Sequence, residues 1–426
     1  MNRYEIEGGK KLSGSVVPSG NKNEALPVLA AALLATKPVT LERLPRIGDV
    51  LTMIAIMEDL GSKVEWTGDE RVVIDNSGLQ YKTPRADLCA KIRASILLLG
   101  PMLARFGRVE LPLPGGDVIG ARRIDTHWDG IIALGGKMQM KEGIKGEISK
   151  PVGTEFFLDE PSVTATENLL SLASVASGTT VLMNAASEPH VVGVCNFLNT
   201  LGAKISGIGS NRVTISGVSQ LGGGTYRIGA DFMEVGSFLC LGAMCGGKIE
   251  VKDVNVEDFR FISKVFHKLG IHVESGKDSL SVDGSRPMVM TNDVSGRVTT
   301  TYSGPWPAFP TDLMSVAIVA ATQSRGTMLF FEKMFEGRMF FTDKLIAMGA
   351  QIILCDPHRV VVNGPSKLYG SRLTSPDIRA GMALLMAALS AQGKSEIDNI
   401  QQIERGYCNI DKKLLSLGAA LKRTTA

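Results

Sequence analysis

Between Leu111 and His127 the chain reads LPLPGGDVIGARRIDTH. Pro112 and Pro114 stop a strand from continuing, and Gly115-Gly116 lets the backbone turn freely, into positive φ if required. Asp117 comes directly after the turn. Arg122 and Arg123 come a few residues later, with Asp125 and His127 behind them. A glycine-rich loop with one acid and two guanidiniums suits a small, strongly anionic ligand. The arginines grip phosphate or carboxylate through paired N–H groups, and the acid moves a proton. A solvated surface loop with a salt bridge has the same composition, so the loop alone leaves both readings open.

The elements around it set the context. A chain of 426 residues is expected to hold two domains, or one unusually large one. Net charge is only +3, so nothing points to a nucleic-acid groove or an anionic membrane; any positive field must be local. The opening MNRYEIEGGKKL lacks the apolar core of a signal peptide, and no apolar run approaches the ~20 residues of a membrane span. A cytoplasmic location is therefore expected. Cys89, Cys195, Cys240, Cys245, Cys355 and Cys408 form no CxxC pair and lie mostly in apolar contexts, so they read as reduced core residues. The five histidines show no ligand spacing, and neither metal nor cofactor is expected.

One pattern recurs six times. A helix-like run ends in Leu-Gly or Met-Gly and gives way to a strand-like segment, at Leu60, Leu134, Leu201, Leu269, Met348 and Leu417. The spacing is 67 to 79 residues. Glycine after a helix takes the left-handed cap and turns the chain toward the next strand. Each period also holds a second helix, apolar nearly all round, as in NEALPVLAAALL and TDLMSVAIVAA. Such helices belong inside, and the more charged Leu-Gly helices outside. The expectation is an α/β protein of six units of about 70 residues, packed three to a domain.

Further stretches carry a resemblance. SGNKNEALP (Ser19 to Pro27), RASILLLGP (Arg93 to Pro101) and PGGDVIGARRIDTH (Pro114 to His127) resemble segments of the MurA family of UDP-N-acetylglucosamine enolpyruvyl transferases. So do PSVTATEN (Pro161 to Asn168), SEPHVV, DFMEVGSFL, PAFPTDLMS, MFEGRMF, DIRAG and ERGYCNID, in order along the whole chain. The resemblance implies two inside-out α/β barrel domains of three repeats, residues 22–229 and residues 1–21 with 230–426. It implies transfer of the enolpyruvyl group of phosphoenolpyruvate to the 3-hydroxyl of UDP-N-acetylglucosamine, with loss of phosphate through a tetrahedral intermediate. The partners implied are these two small molecules, with no nucleic acid or membrane, and the protein is expected to act as a monomer.

The same resemblance assigns residues. Lys22 falls on phosphoenolpyruvate and Asn23 on the sugar and reactant region. Arg93 binds ligand phosphates. The segment Arg122, Arg123, Ile124, Asp125 and Thr126 holds phosphoenolpyruvate and the uridine part, while Ser162 and Val163 belong to the diphosphate loop. Asp312 is the candidate general base; an aspartate in a Thr-Asp pair would otherwise read as a helix N-cap. Met334 and Phe335 pack on the sugar, and Arg379 and Arg405 supply positive charge. Glu188, Asp231 and Asp377 are acids expected near the domain crossings.

Some positions depart from the family's common form. Asp117 stands where cysteine is usual, and to act as an acid its carboxyl must titrate well above the ordinary ~3.9. The family's epoxide antibiotic, fosfomycin, alkylates that cysteine, so insensitivity is expected here. Arg123 replaces a proline and Thr164 a glycine; Glu160 and Gly337 also differ. A Cβ at residue 164 could tilt or block the diphosphate. Transfer to another UDP-sugar or a nucleoside, and a non-catalytic UDP-sugar-binding role, are the alternatives. Shikimate as acceptor is disfavoured, since the SKS and GTAMR-type motifs of that sister family are absent.

Overall fold

The computed structural model describes residues 2–116 and 122–425. All six Leu-Gly or Met-Gly sites close a helix with glycine at positive φ: Gly61 (103°), Gly135 (96°), Gly202 (103°), Gly270 (77°), Gly349 (107°) and Gly418 (94°). The next residue donates its N–H to the carbonyl five positions back, as Ser62 does to Met57 and Ala419 to Leu414. This is the hydrogen-bond pattern that ends a helix in a left-handed residue. A strand starts within a few residues each time, from Lys63–Trp66 to Ala420–Thr425.

Six sheets result among the described residues, one for each repeat. Five have four strands, with a parallel pair at one edge and antiparallel pairing beyond it. Glu155–Phe157, for example, lies parallel to Thr179–Met183, whose other neighbour, Arg212–Ser216, is antiparallel. The sixth sheet has three antiparallel strands, with Arg108–Leu111 at its edge leading into the Gly115-Gly116 turn. Three sheets recruit strands from far along the chain; in one, Gly14–Val16 pairs with Lys248–Lys252. Gly224–Arg227 joins Val39–Glu42, and Asn2–Glu7 sits between Lys394–Asp398 and Ala420–Thr425.

Contacts divide the described chain into two units, residues 20–229 and residues 2–19 with 230–425, three repeats in each. Asn21 sides with the first of these because its side chain caps Lys22–Ala32 and its N–H bonds the carbonyl of Gly229. In the first unit the inner helices are Lys22–Ala32, Leu99–Phe106 and Val163–Ala173; in the second they are Phe232–Met244, Thr311–Ala321 and Ile378–Ser390. Leu313 to Ala321 is buried without a break, and so is Ile378 to Leu389. A helix with no polar stripe needs apolar neighbours on every side. Within each unit the inner helices pack on one another, and strands with alternating buried residues, such as Val72 and Ile74, line the core.

Two expectations need correction. The apolar run from Arg93 to Phe106 is not one helix but a 3₁₀ segment, Arg93–Leu98, and then an α-helix, Leu99–Phe106. The side-chain amide of Asn168 is the cause. It accepts from the N–H of Gly100 (2.6 Å) and donates to the carbonyl of Ile96 (3.0 Å), so it intercepts the pair that would form the helical bond. Cys355 is not a core residue: it is exposed on Gln351–Asp356, whereas Cys89, Cys195, Cys240 and Cys408 are buried and Cys245 is half-buried. All six are free thiols. No helix is long and apolar enough to cross a membrane among the described residues.

A methyl group on Gly202 would meet nothing within 4 Å, so its substitution isolates backbone strain from packing. Gly202→Ala should cost about 1–2 kcal/mol, the usual strain of a left-handed alanine. Urea unfolding monitored by circular dichroism checks this, and unchanged stability would contradict the role given to the repeat's terminal glycine.

Candidate active site

In the first unit Arg93 packs against the glycine turn and stands near Arg122. Gly115 passes so close to the preceding chain that a Cβ on it would lie 1.7 Å from the carbonyl oxygen of Ala90. Gly116 adopts φ 104°, and a Cβ there would come within 2.8 Å of the Cβ of Arg93. Only glycine fits either place. Arg93 then donates Nη2–H to the carbonyl oxygen of Arg122 (2.9 Å). It therefore touches the chain on both sides of residues 117–121. Asp117 itself lies outside the described residues. Burial, and secondarily the nearby Arg122 guanidinium, lowers the pKa of Arg93.

Lys22 begins its helix just after the cap Asn21, whose Oδ1 accepts from the Asn23 N–H (2.8 Å). Lys22 Nζ is mostly buried and paired with Asp49 (3.3 Å). The Arg122 to Thr126 segment leads into Asp125–Ala133, with Ile124 as its cap. Arg123 is exposed and paired with Asp125 (2.9 Å). Thr126 points inward and donates to Asp159 (2.6 Å). Ser162 caps Val163–Ala173.

His127, which the sequence places beside the acids and arginines of the loop, is a buried structural residue. Asn168 Nδ2 approaches its Nδ1 (3.1 Å), and Thr164 Oγ1 lies 2.9 Å from its Nε2. An amide nitrogen only donates, so Nδ1 accepts and Nε2–H donates to Thr164. Burial, then the charge of Arg93, pulls the imidazole pKa down to about 3. The hydroxyl of Thr164 is thus engaged by His127 in the first turn of Val163–Ala173.

The second unit centres on Asp312. It is not the N-cap of Thr311–Ala321, a place held by Pro310, but lies in the first turn. Arg338 Nη2 bonds its Oδ1 (2.5 Å), and Arg379 Nε and Nη2 both reach Oδ2 (3.0 Å each). Arg379 is buried; desolvation works against its charge, but Asp312, Tyr407 and Asp231 outweigh that and raise its pKa. Its Nη1 has no partner among the described residues. Asp231 and Asp377 are the N-caps of their helices, each accepting from two backbone N–H groups. Met334 is partly exposed. Arg405 comes just after Gln401–Glu404 and bonds Gln402 (3.1 Å), while Tyr407, two residues on, lies 5.5 Å from Arg379. Arg338 is the residue that sequence reasoning missed. It stands inside the quoted MFEGRMF segment, but an exposed-looking arginine between glycine and methionine gives no sign of its partner.

Each unit also ties its own chain ends with a buried glutamate in the first turn of an inner helix. Glu24 accepts from Tyr226 O–H (2.8 Å) and from the N–H of Gly229 (3.2 Å). Glu234 accepts from the N–H of Ser19 (3.0 Å) and pairs with Lys413. Glu167, on the inner helix Val163–Ala173, is buried as well. Burial, then the charges of Glu188 and Glu24, pushes its carboxyl well above the usual range. No group of three or more histidine, cysteine, aspartate or glutamate side chains is arranged to hold a metal among the described residues.

The chain is similar to known proteins over nearly its whole length. Residues 6–414 match the family model of EPSP synthase (3-phosphoshikimate 1-carboxyvinyltransferase). The chain is 52% identical over 424 residues to the UDP-N-acetylglucosamine 1-carboxyvinyltransferase of Borrelia garinii, covering 99% of both. It is also 52% identical to that of Bradyrhizobium diazoefficiens, covering 99% of this chain and 98% of the relative, and 49% identical to that of Treponema pallidum, covering 99% of each. In structure it is similar to the enolpyruvyl transferase NikO from Streptomyces tendae, with TM-score 0.88 at 23% identity over 100% of this chain and 99% of the other. EPSP synthase from Acinetobacter baumannii is similar at 0.78 and 16%, with full coverage of both. These structural neighbours have the same fold.

The neutral state of His127 sets a pH dependence. Its pKa is about 3 folded against an ordinary 6.5, so between these values the unfolded chain binds a proton the folded chain refuses. This group's contribution is full above pH 6.5 and is lost as pH falls toward 3, at up to ~1.4 kcal/mol per pH unit. His127→Gln should abolish about 2 kcal/mol of the stability lost between about pH 7 and 5, read from urea midpoints. Equal losses in the two proteins would mean that the imidazole is not held neutral.

Proposed function

The chain belongs to the UDP-N-acetylglucosamine 1-carboxyvinyltransferase family, and from that premise we propose a role for each of the charged helix starts. The enzyme transfers the enolpyruvyl group of phosphoenolpyruvate to the 3-hydroxyl of UDP-N-acetylglucosamine and releases phosphate, the first committed step of peptidoglycan synthesis. The observation that carries this is identity of about half over essentially the whole chain with several enzymes of that name. A cytoplasmic, monomeric enzyme is the accompanying reading.

Asp312 takes the proton of the sugar 3-hydroxyl as its oxygen attacks C2 of phosphoenolpyruvate. Both carboxylate oxygens carry guanidinium bonds, which hold the group in one orientation for that transfer. Asp117 gives a proton to C3, and the tetrahedral adduct forms. Loss of a proton from C3 and of phosphate from C2 then restores the enol ether. Lys22, Arg122 and Arg405 bind the phosphate and carboxylate of phosphoenolpyruvate, and Arg379 adds a donor through Nη1. Arg93 and the N–H groups after Ser162, with Val163, hold the diphosphate, where helix-start amides favour an anion. Arg123, Ile124, Asp125 and Thr126 hold the uridine side; the inward hydroxyl of Thr126 leaves its backbone for that purpose. Asn23 and Met334 meet the sugar. His127 holds the hydroxyl of Thr164, which fixes that side chain at the helix start assigned to the diphosphate.

Phosphate release from phosphoenolpyruvate, measured against a panel of UDP-sugars, tests the reading directly. UDP-N-acetylglucosamine should be the preferred acceptor. Asp312→Asn should still bind the UDP-sugar but lose at least ~10²-fold in turnover, the usual worth of a positioned base. Near-native turnover would remove Asp312 from the mechanism. A carboxylate beside arginines is a poor nucleophile toward an epoxide, whereas a thiolate is a good one. Intact mass should therefore show no fosfomycin adduct on the native enzyme and a stable adduct on Asp117→Cys, both being active before treatment and only the variant losing activity with it. An adduct on the native chain would count against the role given to Asp117.

A further inference from the structure

Glu332 is fully buried, yet no lysine, arginine or histidine pairs with its carboxylate among the described residues. A carboxylate without a cation in the interior is costly unless N–H and O–H donors satisfy it. Its donors come from two places. Oε1 accepts from the backbone N–H of Met334 (2.8 Å) and of Phe335 (3.3 Å). Oε2 accepts from the hydroxyl of Thr311 (2.7 Å), the residue before Asp312. The backbone of Glu332 is fixed as well: its N–H reaches the carbonyl of His358 (2.8 Å), and His358 Nδ1 lies 2.7 Å from its carbonyl oxygen.

Phe335 caps the 3₁₀ turn Glu336–Met339, which carries Arg338, and the guanidinium of Arg338 lies over the Phe335 ring at 5.5 Å. Arg338 bonds Asp312. The contacts therefore close a ring: Glu332 to Thr311, along the chain to Asp312, across to Arg338, back through Phe335 to Glu332. One carboxylate sets both the helix start that carries the base and the loop that carries Met334.

We propose that Glu332 is a positioning residue for the acceptor sugar, fixing the Met334 loop and the Asp312 helix start against each other. The proposal rests on the reading of Asp312 as base and Met334 as a sugar contact. Both arms matter for different reasons. The loop arm sets where the sugar packs, and the Thr311 arm sets where the base lies relative to it.

Steady-state kinetics on three variants separate the arms. Glu332→Ala should raise KM for UDP-N-acetylglucosamine about tenfold and lower kcat by ~10 to 10²-fold, the cost of a misplacement near 1 Å. KM for phosphoenolpyruvate should change less than that for the sugar, since of the residues assigned to it only Arg379 touches the ring of contacts, through Asp312. Glu332→Gln should recover to within about threefold of native, because its amide oxygen accepts the two N–H groups and its amide nitrogen donates to Thr311. Thr311→Val cuts one arm and should lower kcat with KM for the sugar near native. A folded Glu332→Ala with native kinetic constants overturns the proposal, as does a Gln variant no better than Ala. Should Glu332→Ala fail to fold, the Gln and Thr311→Val pair decides, and native kcat in Thr311→Val overturns it. A native chain that releases no phosphate with UDP-N-acetylglucosamine would overturn the functional reading itself, a result distinct from a variant that behaves as native.

Discussion

A helix buried on every side leaves its ends as the only polar surface it owns. The six inner helices lie largely inside their units, so the unsatisfied N–H groups of their first turns must be met by something other than the apolar core. Side chains meet many of them. Asn21, Ser162, Asp231 and Asp377 cap four of these helices. The residues assigned to chemistry stand in or beside the same turns: Lys22 and Asn23, Val163, Asp312, Arg379. Arg93 opens the 3₁₀ segment that leads into another. Packing thus dictates where polar chemistry can be placed, and the positive end of the helix dipole suits it to phosphorylated substrates.

The two units handle charge in opposite ways. In the first, cations are brought near one another, and burial and like charge both work against Arg93. A neutral histidine beside it avoids adding to that repulsion. In the second, a single carboxylate is shared by two arginines, and one of these is almost wholly buried. A pair of this kind contributes little net stability once desolvation is counted, so it is better understood as fixing geometry than as holding the fold. Guanidinium forks suit that purpose because their donors lie in one plane at set directions.

Local rules made much of this legible in the sequence. The helix-ending glycines are dictated by φ alone, and the inner helices by composition alone. What composition cannot reveal is a polar side chain that takes over a backbone bond. Asn168 is 68 residues from Gly100 and 72 from Ile96, yet it decides where a helix begins. Arg338 and Arg379 meet Asp312 from 26 and 67 residues away. Neither pairing has a spacing that a helix or strand period would betray, so Arg379 was reached through resemblance and Arg338 not at all.

Thr164 shows how far such long-range bonds can reach. As a replacement of glycine, it adds a Cβ and a hydroxyl in the first turn of Val163–Ala173. The direction of the hydroxyl depends on which nitrogen of His127 bears the proton. The proton is placed in turn by Asn168, which donates to Nδ1 and leaves Nε2–H free to seek Thr164. Asn168 is itself committed by the interrupted helix at Ile96 and Gly100. Thr164 is thereby tied into a chain of hydrogen bonds that runs through His127 and Asn168 to the interrupted helix.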